Sequence, residues 1–179
     1  MKLYVKPGGD FSSILLKIQN IGKEDVYIVK STSNPFKKPK LYVYNMNEVE
    51  MIRLEDNSRL TKTKLDIFQG ETQIGFIESN EKLMESFFTI SWGDTQWKYH
   101  TKGNKGELSC DDQRIATLTK SEDSKLLSQE FALDIVNEQD KIKILAALAG
   151  VTYIAKINGL TLLSILNLYM GGMRTNLSC

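Results

Sequence analysis

Apolar and polar residues alternate along most of this 179-residue chain, in short runs that turn-forming residues separate. Near the C-terminal third, for example, Phe131, Leu133 and Ile135 point one way and Asp134 points the other. A period of two is typical of strands that bury one face. The predicted strands are 3–5, 13–18, 25–30, 41–44, 49–55, 61–68, 72–78, 86–92, 95–101, 107–110, 114–120 and 130–136.

The residues between these runs favour tight connections. Gly22 lies between the second and third strands, Gly93-Asp94 between the eighth and ninth, and Asp111-Asp112 between the tenth and eleventh. Residues 102–106 form another predicted turn. A series of strands joined by such short turns is typical of an antiparallel meander or barrel.

The pattern changes at Lys141, where an apolar run begins that continues to Ile154. Asn137 is a suitable N-cap for a helix, and Asn158-Gly159 a suitable end. This helix is apolar on every face, so protein or membrane must enclose it. We therefore predict a mainly β fold, a closed antiparallel β-barrel of about 12 strands around a central hydrophobic C-terminal helix at about 138–157. Residues 1–157 form one predicted domain.

A second apolar stretch, Leu160–Met170, follows within the extra C-terminal segment 158–179. Thr161, Ser164 and Asn167 form one narrow polar stripe on a helix there, so we predict a separate short helix. The whole stretch 142–170 exceeds the roughly 20 residues of a membrane span, but Lys156 interrupts it near its middle. The predicted alternatives for Leu160–Met170 are packing on the barrel mouth, contact with a second copy in a homo-oligomer, and contact with a membrane surface.

The late strands and the helix resemble a known family. Gln113–Lys120, Phe131–Ile135, the acidic Asp140 and the apolar run from Lys141 match, in pattern and order, the tubby C-terminal-like superfamily. Within it the chain resembles the LURP-one-related and bacterial YxjI-type branch, which is related to phospholipid scramblases. The resemblance extends over residues 25–156 and implies a closed barrel around a central helix.

Two features depart from that family. Its members usually end soon after the central helix, whereas here residues 160–179 follow. The basic cluster with which animal tubby proteins bind phosphoinositides, and the calcium-binding segment claimed for scramblases, have no residue-by-residue match in this chain.

Composition adds limits on function. The apolar fraction of 41% and charged fraction of 25% are those of a soluble globular protein, and a net charge of +1 predicts no nucleic-acid partner. Cys110 and Cys179 indicate neither a disulfide framework nor a metal site, which favours the cytoplasm. His100 is the single histidine and shares a strand face with polar residues. We therefore predict no catalytic residues, no metal and no cofactor.

Basic residues in two predicted loops suggest a binding site. If the loops meet, they form an anion-binding or lipid-binding surface; the alternative is an ordinary solvated face. The candidate residues are Lys37, Lys38, Lys40, Arg59, Lys62 and Lys64. The aromatic residues of strands 86–92 and 95–101 are better explained as barrel core than as a base-stacking platform.

Together these observations predict a non-catalytic, tubby-like binding or adaptor module. Its expected target is an anionic phospholipid membrane surface or a partner protein, with the chain cytoplasmic or peripheral to the membrane. The alternative is a scramblase-like protein that uses its apolar C-terminal segment as a membrane anchor.

Overall fold

The computed structural model describes residues 1–8, 13–32, 38–59, 63–82, 85–102, 105–120 and 130–157. Within them, twelve antiparallel strands close into one barrel, in which each strand pairs with the next in sequence and β1 pairs with β12. The predicted fold class is confirmed: the protein is mainly β, a closed twelve-stranded barrel with one C-terminal helix. The division into domains stays a prediction, because residues 158–179 lie outside the described part.

The strand bounds follow the alternating pattern closely. They are β1 (Lys2–Pro7), β2 (Ile14–Gln19), β3 (Asp25–Ser31), β4 (Lys40–Asn45), β5 (Glu50–Asp56), β6 (Lys64–Gln69), β7 (Thr72–Lys82), β8 (Glu85–Trp92), β9 (Thr95–Lys102), β10 (Lys105–Cys110), β11 (Gln113–Lys120) and β12 (Phe131–Ile135). A short 3-10 turn, Glu138–Asp140, leads into the helix α1 (Lys141–Ile157).

The prediction is wrong at two places. β7 continues four residues past its predicted end at Glu78, and β9 and β10 extend into the predicted turn at 102–106. In both places the strands remain paired through their backbones, although apolar and polar residues no longer alternate there. In β7, for example, pairing continues as far as Lys82, which lies opposite Glu85. Backbone hydrogen bonds to a neighbouring strand hold these ends, and side-chain periodicity carries no signal of them.

Because the strands alternate in direction, their ends gather at the two mouths of the barrel. At the mouth that we call the upper end are the hairpin turns after β2, β4, β6, β8 and β10 and, after β12, the start of α1. At the opposite mouth, the lower end, are the other strand ends and Ile157, the last residue of α1. The Nζ atom of Lys143 lies 5.8 Å from the ring of Trp92, beside an upper turn. The hydroxyl of Tyr153 donates to Asp56 Oδ2 at the lower end of β5, at 3.3 Å. The helix thus runs through the barrel from upper to lower end.

The 3-10 turn that leads into α1 carries the predicted cap at Asn137. The Asn137 side-chain oxygen accepts a hydrogen bond from the Gln139 backbone N–H at 3.1 Å, which satisfies one of the free N–H groups at the first turn. Every residue from Ile144 to Ala155 is buried. Leu145, Leu148, Val151 and Ile154, on different faces of the helix, are at most 5% exposed. The helix therefore fills the barrel, as its all-round apolarity predicts.

The large aromatic residues of β8 and β9 line the inside of the barrel. Trp92 and Trp97 are buried and meet edge to face, with ring centroids 5.5 Å apart. Phe88 and Tyr99 are also buried, so the core interpretation of these rings is confirmed. The side chain of Phe87 lies outside the described part of the structure.

The hydroxyl group of Tyr99 is a defect in this core. It is buried, has no hydrogen-bond partner among the described residues, and lies against the backbone of Gly106, where even a Cβ atom would come too close. Burial raises the pKa of Tyr99 well above its usual value. An unsatisfied buried hydroxyl costs free energy that an apolar ring does not.

We therefore expect Tyr99→Phe to increase the free energy of unfolding by about 1 kcal/mol. The measurement is urea denaturation followed by tryptophan fluorescence. Tyr42→Phe on the outer face of β4 is the matched control and should change little. A loss of stability in Tyr99→Phe would show that the hydroxyl has a partner after all.

Candidate functional site

The predicted anion-binding residues that the structure describes share the lower end of the barrel: Lys38, Lys40, Arg59 and Lys64. Lys37 and Lys62 lie outside the described residues. The two basic segments of the sequence do approach each other. Lys38 Nζ donates to the carbonyl oxygen of Ser58 at 3.0 Å, and the Asp56 backbone N–H donates to the carbonyl oxygen of Pro39. The segment before β4 and the segment after β5 are therefore tied together.

Lys40 is engaged within the protein. Its Nζ atom lies 2.7 Å from Glu55 Oε1, and Arg53 Nε donates to the same oxygen at 2.8 Å. The hydrogen bond from Lys40 is the main reason that the pKa of Glu55 lies below its usual value, and it outweighs the opposing effect of burial. The charge of Lys40 is thereby balanced by a carboxylate.

Lys64 is engaged in the same way. Its Nζ atom is 3.3 Å from Asp66 Oδ1 and lies 4.2 Å from the centroid of the Phe76 ring. The other carboxylate oxygen of Asp66 accepts a hydrogen bond from Asn57 at 2.7 Å. Asp66 is buried, so this lysine stabilises a carboxylate that water does not solvate. Lys40 and Lys64 therefore contribute less to an external anion site than Lys38 and Arg59, whose side chains are exposed.

Three exposed lysines that were not among the predicted site residues lie at the same end. Lys105 begins β10, Lys120 ends β11 and Lys156 lies in the last turn of α1. None of them forms an ion pair with another described residue. Since they come from distant parts of the sequence, the barrel topology alone shows that they share a mouth. We call the exposed set at this mouth the lower-end cations: Lys38, Arg59, Lys105, Lys120 and Lys156.

Glu130 and Asp56, two described carboxylates at the lower end, have partners within the protein. Glu130, which is buried, lies 2.7 Å from Lys23 Nζ and 3.7 Å from Lys6 Nζ. Asp56 accepts hydrogen bonds from the Ser58 backbone and from Tyr153. These contacts use the acidic groups internally, and the lower-end cations are left facing solvent around the end of α1.

The described residues give little support for catalysis at the side chains considered from the sequence. His100 is on the outer face of β9, with Nε2 3.9 Å from Glu107 Oε1. Burial, and then the nearby charge of Asp111, raises the pKa of the Cys110 thiol, which keeps it protonated near neutral pH. Among described residues, no cluster of histidine, cysteine and carboxylate side chains has the arrangement of a metal site.

In the part of the chain that the structure describes, no helix combines the length and apolarity needed to cross a bilayer. No protein-family model matches the chain, and no curated protein or solved structure matches it either.

Proposed function

We propose that this chain is a non-catalytic, tubby-like binding module whose lower end docks on an anionic phospholipid surface. The observation that carries the proposal is the set of exposed lower-end cations around the end of α1. Lysine and arginine near an anionic membrane each contribute about 1 kcal/mol to binding. The module is a cytoplasmic protein that binds the membrane peripherally.

Apolar residues at the same mouth support this orientation. Ile157, at the end of α1, is 50% exposed, and the apolar segment Leu160–Met170 follows it in the sequence. Stable peripheral binding generally needs two signals, such as a basic patch and an apolar group that enters the headgroup region. The described lower end has the basic residues and, in Ile157, an exposed apolar side chain.

The closed barrel around a helix is also the architecture that the resemblance to tubby-like proteins implies. The competing proposal, a scramblase-like anchored protein, rests on Leu160–Met170 alone. An anchored protein needs detergent for extraction, whereas high salt releases a protein that is held by lysine and arginine. Membrane fractions washed with salt and then with detergent separate the two proposals.

Vesicle flotation with the full chain tests the docking surface. We expect binding to vesicles of phosphatidylcholine with about 30% phosphatidylserine, and little binding to phosphatidylcholine alone. Reversing three lower-end cations, as Arg59→Glu, Lys105→Glu and Lys120→Glu, should weaken binding by roughly a hundredfold or more.

A control variant distinguishes this surface from net charge. The control variant carries Lys2→Glu, Lys98→Glu and Lys143→Glu. These three exposed lysines lie away from the lower end, and the total change in charge is the same in both variants. This control should retain most of the binding. Equal losses in the two variants, or equal binding to neutral and anionic vesicles, would contradict the proposal.

A further inference from the structure

The upper end of the barrel carries an apolar surface with no partner among the described residues. Nearly all exposed large apolar side chains of the described chain lie there. Their exposed fractions are 43% for Met1, 70% for Ile21, 49% for Met46, 53% for Val49 and 64% for Val136. We call these residues the upper crescent.

The members of the crescent are neighbours through the strand order. Met1 and Ile135 exchange backbone hydrogen bonds of 2.7 and 2.8 Å, which places Met1 beside Val136. Ile21 is in the turn that follows β2, and β2 is the other strand that pairs with β1. Met46 and Val49 are in the turn between β4 and β5, which is the next turn at the upper end. Clustered apolar side chains at turn tips are typical of a surface that binds a partner.

Carboxylates accompany the crescent on every upper turn: Glu24, Glu48, Glu71, Asp94, Asp111 and Asp112, with Glu138 and Asp140 before α1. Most are exposed, and Glu71 is 95% exposed at its side chain. Basic residues at this end are fewer, and some are paired, as Lys141 is with Glu138 at 3.4 Å. The partner of the crescent should therefore be apolar and positively charged.

The lower end of this same protein has that chemistry. It presents the lower-end cations and the half-exposed Ile157. In the sequence, the apolar segment Leu160–Met170 follows Ile157. Opposite charges on the two ends favour an encounter of one copy's lower end with another copy's upper end, whereas two upper ends repel each other.

The described lower end cannot cover the crescent of its own barrel. The 17 residues of α1 separate the two ends by about 25 Å, so Ile157 cannot contact the crescent of the same chain.

We propose that the upper crescent binds the lower end of a second copy of this chain, head to tail. Such an interface is heterologous, so each copy keeps one free end and association continues into an open chain or closes into a ring. This association goes beyond membrane docking. Because both use the lower end, anionic vesicles should compete with it.

Sedimentation velocity of the full chain without lipid tests the association. We expect a weight-average mass that rises with concentration at about 50 mM salt and falls at about 500 mM, as charge screening requires. Ile21→Ser with Val136→Ser removes exposed apolar groups from the crescent and should raise the apparent Kd about tenfold or more. Gln73→Ser with Gln96→Ser, on the exposed outer face, is the matched control and should associate normally.

A mixing experiment separates head-to-tail binding from a symmetric dimer. Arg59→Glu with Lys105→Glu and Lys120→Glu, in the full chain, disables the lower end. This variant and the crescent variant should each be monomeric alone but form a 1:1 dimer when mixed, because each supplies the half that the other lacks.

Three results would overturn the proposal. One is a full chain that stays monomeric to about 100 µM, a concentration at which even weak specific contacts are populated. Another is a mixture of the two variants that stays monomeric although each variant is folded by circular dichroism. The third is normal association of the crescent variant. If the full chain associates but does not bind anionic vesicles, that result contradicts the membrane proposal and leaves the head-to-tail association standing.

Discussion

Replacing Leu148 with aspartate should leave the protein unable to fold. Leu148 is 5% exposed and lies in the part of α1 that the barrel encloses. A carboxylate there is cut off from water, and the core around it offers no cation. The cost of several kcal/mol is comparable with the total stability of a domain of this size. We expect insoluble protein, or soluble protein without a cooperative thermal transition.

The same substitution at an exposed site of the same helix is the control. Lys143→Asp changes an exposed residue five positions earlier in the same helix and should shift the free energy of unfolding by only about 0.5 kcal/mol. If Leu148→Asp melts at the wild-type temperature, the helix is not enclosed by the strands, and the interpretation of the whole core is wrong.

Replacing Gly150 with valine should destabilise the protein by about 3 kcal/mol, although glycine is a poor residue for a helix. A Cβ atom on Gly150 would overlap the Cδ1 atom of Ile77 and lie 3.2 Å from methyl groups of Leu54 and Leu65. Ile77 must therefore leave its rotamer, and the larger valine side chain has to fit among side chains that already fill the barrel. Thermal and urea unfolding of the purified variant measure the loss.

A second substitution tests whether that contact is the cause. Ile77→Ala removes the atom nearest to the new side chain but by itself opens a cavity. In the double variant the new valine occupies part of that cavity, so the combined loss should be smaller than the sum by about 1 kcal/mol or more. Strict additivity would contradict the packing that the structure shows. Lys143→Val, on the exposed part of α1, is the control for helix propensity.

Local patterns predict much of this fold. The alternation of Phe131, Leu133 and Ile135 against Asp134 identified β12, and the turn residues Gly93-Asp94 identified a hairpin. These features arise from interactions between residues near in sequence, or from the requirement that one face of a strand be buried. The polar ends of β7, β9 and β10 left no such signal, because pairing with another strand maintains them.

The candidate site was predicted less completely, for a related reason. The sequence identified Lys38, Lys40, Arg59 and Lys64 as a loose basic group, and the structure brings them to one mouth. It did not show that Glu55 and Asp66 balance two of them, since side-chain pairing depends on the register of β4, β5 and β6.

By itself, the sequence determined the class of fold and the presence of an enclosed helix. Buried positions must be apolar, and they recur along the chain with the period of the strand or helix that contains them. Only the tertiary structure decided which residues share an end of the barrel. Lys105, Lys120 and Lys156 are 46, 61 and 97 residues from Arg59 in sequence, and closure of the barrel places them around one mouth. The upper crescent arises in the same way, since Met1 and Val136 become neighbours when β1 pairs with β12. Exposed residues follow no sequence pattern from which their neighbours in space could be predicted. Their grouping at one end depends on how the strands close into the barrel.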